Sequence, residues 1–249
     1  MRYFLELAYR GTAYCGWQRQ PNAPSVQERL EQALSTILRE PVEVVGCGRT
    51  DTGVHARYYV AHFDAENELP PRLLDGLNSI LPDDIAIYSC KAVAATAHAR
   101  YDAVERSYTY VVSLRKDPFL QESAWFYPQW RKVDTNAMQA VAHLLMQYDQ
   151  FFPFCKTDSS ADHYACKMIR AEWEFQENQW LFHIHANRFL RGMVRLIVGA
   201  CVQVGSGKVD LEQIKYALDT QTALKGSLSA PPQGLALTGV RYNDLPIRV

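Results

Sequence analysis

The chain has 249 residues, 48% of them hydrophobic, enough for one large domain or two lobes of ordinary size. Its formal net charge of −1 is not that of a protein that coats nucleic acid indiscriminately, so a nucleic-acid partner needs locally concentrated positive charge. No window approaches eighteen consecutive apolar residues, which argues against a membrane span.

Residues 3–9 alternate Tyr3, Leu5, Leu7, Tyr9 against Phe4, Glu6, Ala8, the pattern of a half-buried strand and not of a secretory signal. Ser25-Val26-Gln27-Glu28 reads as a capping box, and Val26, Leu30, Ala33, Leu34, Ile37 and Leu38 continue it as an apolar stripe ending near Glu40, before Pro41. Residues 42–45 and 58–63 read as strands, 70–81 as a short helix, 85–92 as a strand, and 105–114 as a long strand rich in Tyr, Val and Thr. Residues 116–131, aromatic and proline-bearing, read as an extended connection. Asp134 caps a helix running through Leu145, and residues 171–176 and 180–186 pair as a hairpin. An apolar helix is expected over 189–204, another helix over 210–220, and a final strand over 235–242. Strands and helices alternate in both halves, predicting an α/β (α+β) fold of two lobes, residues 1–110 and 111–249, that share a sheet.

The most informative stretch is Gly48-Arg49-Thr50-Asp51-Thr52-Gly53-Val54-His55-Ala56. It places one carboxylate in a loop between two expected strands, with a guanidinium two residues before it and an imidazole four residues after. A nearby cation keeps a carboxylate ionised, hence nucleophilic or basic at neutral pH. On local chemistry alone the loop is equally an Asx-type turn carrying a structural ion pair. Two groups of arginines stand out among the chain's eighteen: Arg10, Arg19, Arg49 and Arg57 near the glycine-rich N-terminal stretches, and Arg188, Arg191 and Arg195, whose i, i+3, i+7 spacing predicts one helix face.

Gly-Arg-Thr-Asp-x-Gly-Val-His-Ala resembles the catalytic motif of the tRNA pseudouridine synthase A family. Further matches follow in order: Gly11-Thr12-Ala13-Tyr14-Cys15-Gly16-Trp17-Gln18; Leu77-Asn78-Ser79-Ile80-Leu81-Pro82-Asp83-Asp84-Ile85; and His98-Ala99-Arg100-Tyr101 followed by Arg106-Ser107-Tyr108-Thr109-Tyr110. Then come Asn187-Arg188-Phe189-Leu190, Met193-Val194-Arg195-Leu196-Ile197-Val198-Gly199 and Ala230-Pro231-Pro232-Gln233-Gly234-Leu235. The resemblance spans nearly the whole chain. It implies two ferredoxin-like lobes with a mainly antiparallel sheet, flanking helices and a central cleft, with the first lobe carrying the aspartate loop and the second completing the cleft.

The resemblance also implies the chemistry. Asp51 matches the nucleophile, Tyr108 the active-site tyrosine and Arg195 the active-site basic residue; Arg100 matches a position that serves RNA binding. Arg49, His55, Arg188 and Arg191 are the remaining candidate substrate contacts, and Tyr110 is assigned to the core. The expected substrate is the anticodon arm of tRNA at positions 38–40, and the expected assembly a homodimer. The reaction breaks the N1–C1′ bond of a uridine, turns the uracil and joins C5 to C1′, so no cofactor and no metal are expected. Attack at C6, attack at C1′ and a glycal route all remain open. The target base must be flipped from its stack. An RNA-binding protein without turnover and a synthase for another RNA are the competing readings.

The pattern is departed from in three places. Arg10 stands where an aspartate is usual, Tyr58-Tyr59 replace Gly-Gln, and Arg191-Gly192 replace commoner residues. Gly205-Ser206-Gly207-Lys208 shares part of a phosphate-binding loop, but Val202 and Val209 occupy positions that need Gly and Ser or Thr, so it reads as a surface turn. His183 and His185 share a strand face, as do His62 and Asp64. With no sequence-near third ligand they read as hydrogen-bonded strand residues. The six dispersed cysteines read as reduced thiols of a cytosolic protein.

Overall fold

In the computed structural model, which describes residues 1–156, 163–224, 226 and 228–243, the alternating N-terminal residues form β1 (Arg2–Tyr9). Helix α1 (Val26–Leu38) starts where expected, Ser25 accepting from the Glu28 N–H. It stops at Leu38 because Arg39 turns left-handed, with φ 59°. Strand β2 is only Val44–Gly46, shorter than predicted, whereas β3 (His55–Asp64) begins inside the aspartate motif itself. Helix α2 (Leu73–Ile80) and strand β4 (Ile85–Val93) follow.

Strand β5 spans Ala103–Ser113. The aromatic connection holds only a two-residue strand, β6 (Trp125–Phe126), and a 3-10 turn at Trp130–Lys132. Asp134 caps α3 (Thr135–Leu145) by accepting from the Asn136 and Ala137 N–H groups. The hairpin is β7 (Met168–Phe175) and β8 (Gln179–Ala186). Along β8, Trp180, Phe182, Ile184 and Ala186 are buried while the residues between them are half-buried, a period of two. Helices α4 (Met193–Gly205) and α5 (Leu211–Thr220) precede β9 (Leu235–Tyr242).

The helix expected from residue 189 begins four residues later. Gly192 has φ 72°, a left-handed conformation that a right-handed helix does not admit, so Arg188 and Arg191 lie in the segment before α4 and only Arg195 is on it. The single arginine-bearing helix face therefore does not exist. The stretch 205–208 is the turn that ends α4, as expected.

The chain divides into two compact units, one of Met1–Val104 with β9 from Ala236, the other of Glu105–Leu235. In the first, the strands run β4-β1-β3-β9 with β2 also on β3; all pairs are antiparallel except β3 with β9. Leu5, Leu7, Phe63, Leu30, Leu34 and Leu77 form its core. In the second unit β8 lies between β5 and β7, both antiparallel to it, and β6 runs parallel to β5. Its core combines Phe182 and Ile184 with Met138, Val141, Leu145, Ile197 and Ile214 of the helices. The architecture is mixed α/β with mainly antiparallel strand pairing, as the sequence predicts. All six cysteines are free. Among the described residues no helix is long and apolar enough to cross a membrane.

Candidate active site

The loop from Cys47 to Val54 connects β2 to β3 and is held from below and from one side. Thr50 is buried, its Oγ1 2.9 Å from the Tyr9 hydroxyl. The Tyr59 hydroxyl donates to the Gly48 carbonyl. Asp51 follows Thr50 directly, is half-buried, and its carbonyl accepts from the Val54 N–H at 3.1 Å, closing a tight turn. Residues 11–17 form the side wall. Gly16 has φ 89°, and a Cβ there would sit 2.2 Å from the Thr50 carbonyl oxygen, so only glycine permits this approach. The Gly53 N–H donates to the Tyr14 carbonyl at 3.3 Å.

His55 is 7% exposed, and its Nδ1 accepts from the Gly11 N–H at 2.9 Å. An imidazole that accepts at Nδ1 carries its hydrogen on Nε2. The first and second sequence motifs are thus one packed object.

The third motif braces the same wall. The Tyr14 hydroxyl donates to Asp84 Oδ1 at 2.6 Å, and the Asp84 carbonyl accepts from the Arg10 N–H at 2.9 Å. Burial, and then the Asp84 carboxylate, push the Tyr14 hydroxyl well above the usual tyrosine range, so it stays a donor. Asn78 on α2 bonds both ways with the backbone of Ile87 on β4, at 2.8 and 2.9 Å. Beneath the loop the Trp17 and Tyr59 rings stack with centroids 4.2 Å apart, and Tyr9 packs against both. Tyr59, a departure from the family pattern, is therefore an internal support of the loop. Trp17, 2% exposed, belongs to the core. Sequence reasoning left Tyr9, Tyr14 and Asp84 without roles, although Tyr14 and Asp84 stand inside the quoted motifs.

The cations divide between the units. Arg49 is exposed, its Nε donating to Gln18 Oε1 at 3.2 Å. Arg100, also exposed, lies on a different loop of the same unit, a tight turn in which the N–H groups of Arg100 and Tyr101 donate to His98 Nδ1 and that of Ala99 donates to His62 Nδ1. In the second unit Arg188 is half-buried, its Nη1 2.6 Å from Nε2 of His163, while Arg191 is exposed. Arg195, half-buried on α4, donates from Nε to the Ala230 carbonyl at 2.7 Å.

On β5, Tyr108 lies opposite Ile184 and Tyr110 opposite Phe182, so both rings project to the face where β8 is buried. Tyr110 is fully buried, which matches its assignment to the core. Tyr108 sits at the margin of that core, half-buried, with the Phe189 ring perpendicular to it at 5.2 Å. The histidines of β8 are engaged as well: His183 with Glu174 at 3.3 Å and His185 with Glu105 at 3.2 Å. Among the described residues no cluster of three or more His, Cys, Asp or Glu is placed to hold a metal ion.

A carboxylate on a rigid, glycine-walled turn suits a nucleophile or base that must meet a substrate atom without rearranging. The model of a family described as tRNA pseudouridine synthase matches residues 7–102 and 149–243. The chain is 44% identical to the tRNA pseudouridine synthase A of Porphyromonas gingivalis over 246 residues, covering 97% of each chain. It is likewise 44% identical to that of Bacteroides thetaiotaomicron, over 98% of this chain and 91% of that one. To that of Gloeobacter violaceus it is 38% identical over 99% and 82%. On this match, which takes in both units and every motif around the aspartate loop, the chain belongs to the tRNA pseudouridine synthase family.

Proposed function

We propose that this isomerase converts uridine to pseudouridine in the anticodon stem-loop of tRNA, at positions 38–40, through an aspartate-dependent rearrangement of the glycosidic bond. Asp51 is the nucleophile or assists glycal formation. Arg195 is the active-site basic residue, and Tyr108 serves the uracil. The N1–C1′ bond breaks, the C5–C1′ bond forms, C5 loses a proton and N1 gains one, so the composition of the base is unchanged. Arg49 contacts the flipped nucleotide or its phosphate, while Arg100, Arg188 and Arg191 contact the RNA backbone; His55 holds the wall of the substrate site. The enzyme acts in the cytoplasm as a homodimer.

The observation that carries this reading is the construction of the Asp51 turn. Its backbone is walled by Gly11 and Gly16 and bonded to Tyr14, so the carboxylate is presented by a part of the fold with little freedom to move. The test is release of tritium from tRNA transcripts labelled at uridine C5, followed by mapping of the modified positions. Release with modification confined to positions 38–40 is expected. Modification elsewhere, or none with folded protein, refutes the assignment. Sedimentation of the free protein tests the dimer.

A further inference from the structure

Helix α4 and residues 228–234 are joined by a short ladder of contacts centred on Arg195. A Cβ on Gly199 would lie 1.4 Å from the Leu228 carbonyl oxygen, so the strip lies directly on the helix. One turn earlier, Ala230 engages Arg195 twice: its N–H donates to the Arg195 carbonyl at 3.0 Å, and its carbonyl accepts from Arg195 Nε at 2.7 Å. The next carbonyl along the strip, that of Pro231, accepts from the Tyr110 hydroxyl at 2.7 Å. Proline has no N–H to anchor the strip at that residue, so the hydroxyl is its polar tether there.

A guanidinium is a planar fork. Committing Nε to a fixed carbonyl sets the plane and aims the two terminal nitrogens together, whereas a carbonyl free to swing would let them wander. A core tyrosine needs only its ring for packing, yet this hydroxyl is spent on the residue that adjoins the Arg195 acceptor. Burial pushes the hydroxyl far above the usual tyrosine range, which keeps it a donor at any pH the fold tolerates.

We propose that Tyr110 is a positioning residue for Arg195: by holding the Pro231 carbonyl, its hydroxyl fixes the Ala230 carbonyl that orients the guanidinium. The proposal rests on the reading that Arg195 serves catalysis. It is separate from the roles of Asp51 and Tyr108.

The experiment is a double-mutant cycle read by single-turnover pseudouridine formation, with tRNA affinity and thermal midpoint measured alongside. Tyr110→Phe keeps the ring and removes the tether. It is expected to slow the single-turnover rate about tenfold, the scale of one buried hydrogen bond, while tRNA affinity stays within about twofold. Arg195→Lys keeps the charge but has no Nε to engage Ala230. In that background Tyr110→Phe is expected to slow the reaction less than about twofold, because nothing remains for the strip to orient. A wild-type rate for Tyr110→Phe, or an equal loss in both backgrounds, overturns the proposal. Should Tyr110→Phe fail to fold, Ala230→Gly, which loosens the same carbonyl, is expected to show the same background-dependent loss; equal losses there overturn it too. An inactive wild-type chain or a fully active Arg195→Lys overturns the functional reading, and the proposal with it.

Discussion

Gly11 and His55 are joined by a 2.9 Å hydrogen bond from the glycine N–H to imidazole Nδ1, and the same glycine leaves room for the Val54 carbonyl, which a Cβ would meet at 2.0 Å. Gly11→Ala must therefore part the two loops. Overpacking of this kind costs about 1–3 kcal/mol, a fall of several degrees in thermal midpoint for a protein of this size. Turnover should fall further than stability, since the displaced segment carries Asp51. Scanning calorimetry and single-turnover assays at a temperature where the variant is folded check this. A folded variant with a wild-type rate means the wall is not needed for catalysis.

Asp51→Asn should abolish turnover and spare binding. The amide keeps the size of the side chain and loses the charge that attack requires. Filter binding with unmodified tRNA should give an affinity within about threefold of wild type, with no tritium release. Pseudouridine formation by the purified variant at an appreciable rate would sink the nucleophile assignment.

The three C-terminal arginines should separate by function now that they separate by structure. Arg195, alone on α4 and fixed to Ala230, should on replacement by Ala lower the single-turnover rate with little change in affinity. Arg188 and Arg191, in the segment before the helix, should on replacement weaken tRNA binding and each reduce the salt slope by about one. Affinities measured across a salt series decide this, and unchanged slopes in both variants remove them from the interface.

Much of this was legible beforehand, where local chemistry is sufficient. Ser25 and Asp134 announce their helices because a side-chain oxygen satisfies the first free N–H groups, and β8 shows its two faces because every second residue is buried. The regular spacing of Arg188, Arg191 and Arg195 misled, because periodicity is blind to the sign of φ, and Gly192 reverses it between the second and third. Tyr14 and Asp84 meet across 70 residues, and the two roles of the Tyr58-Tyr59 pair depend on which face each occupies. Tyr58 reaches Glu6 at 3.3 Å while Tyr59 turns under the loop. Such long-range pairings leave no local signal.

The turn that carries Arg100 should make the protein acid-sensitive through His62. Burial, with Arg2 and His98 nearby, pushes this imidazole down to about 4, while Asp64 and Asp102 oppose the shift. Its Nδ1 accepts the Ala99 N–H, a bond that protonation would destroy. A histidine whose folded pKa is depressed lets the unfolded chain bind the extra proton first. Its contribution is therefore complete above about 6.5 and is lost as pH falls from there toward 4. The thermal midpoint should drop between pH 7 and pH 5. His62→Gln, which retains an acceptor and does not titrate, should show a shallower drop. An equal slope in both proteins would assign the acid sensitivity to other groups.

Tyr108 should act through both its ring and its hydroxyl. At the margin of the core, with the Phe189 ring perpendicular to it, the ring should stack on an extruded base, a contact worth about 1–3 kcal/mol. Tyr108→Phe keeps that contact, so its tRNA affinity should match wild type. Were stacking the whole role, its rate would match as well. After the uracil has turned and C5 has joined C1′, however, the C5 proton must still leave, and a tyrosine oxygen within reach can accept or relay it. Tyr108→Phe should therefore stall late, with the glycosidic bond already rearranged and tritium release slowed by at least about a hundredfold, the usual scale of a lost acid–base group. Tyr110→Phe, by contrast, should slow the reaction through Arg195 from its start. Quenched time courses that follow tritium release and carbon–carbon bond formation separately distinguish the two. If Tyr108→Phe releases tritium at the wild-type rate, Tyr108 is a stacking platform only. If instead Tyr110→Phe is the variant that stalls after the new bond has formed, the proton-relay role belongs to Tyr110.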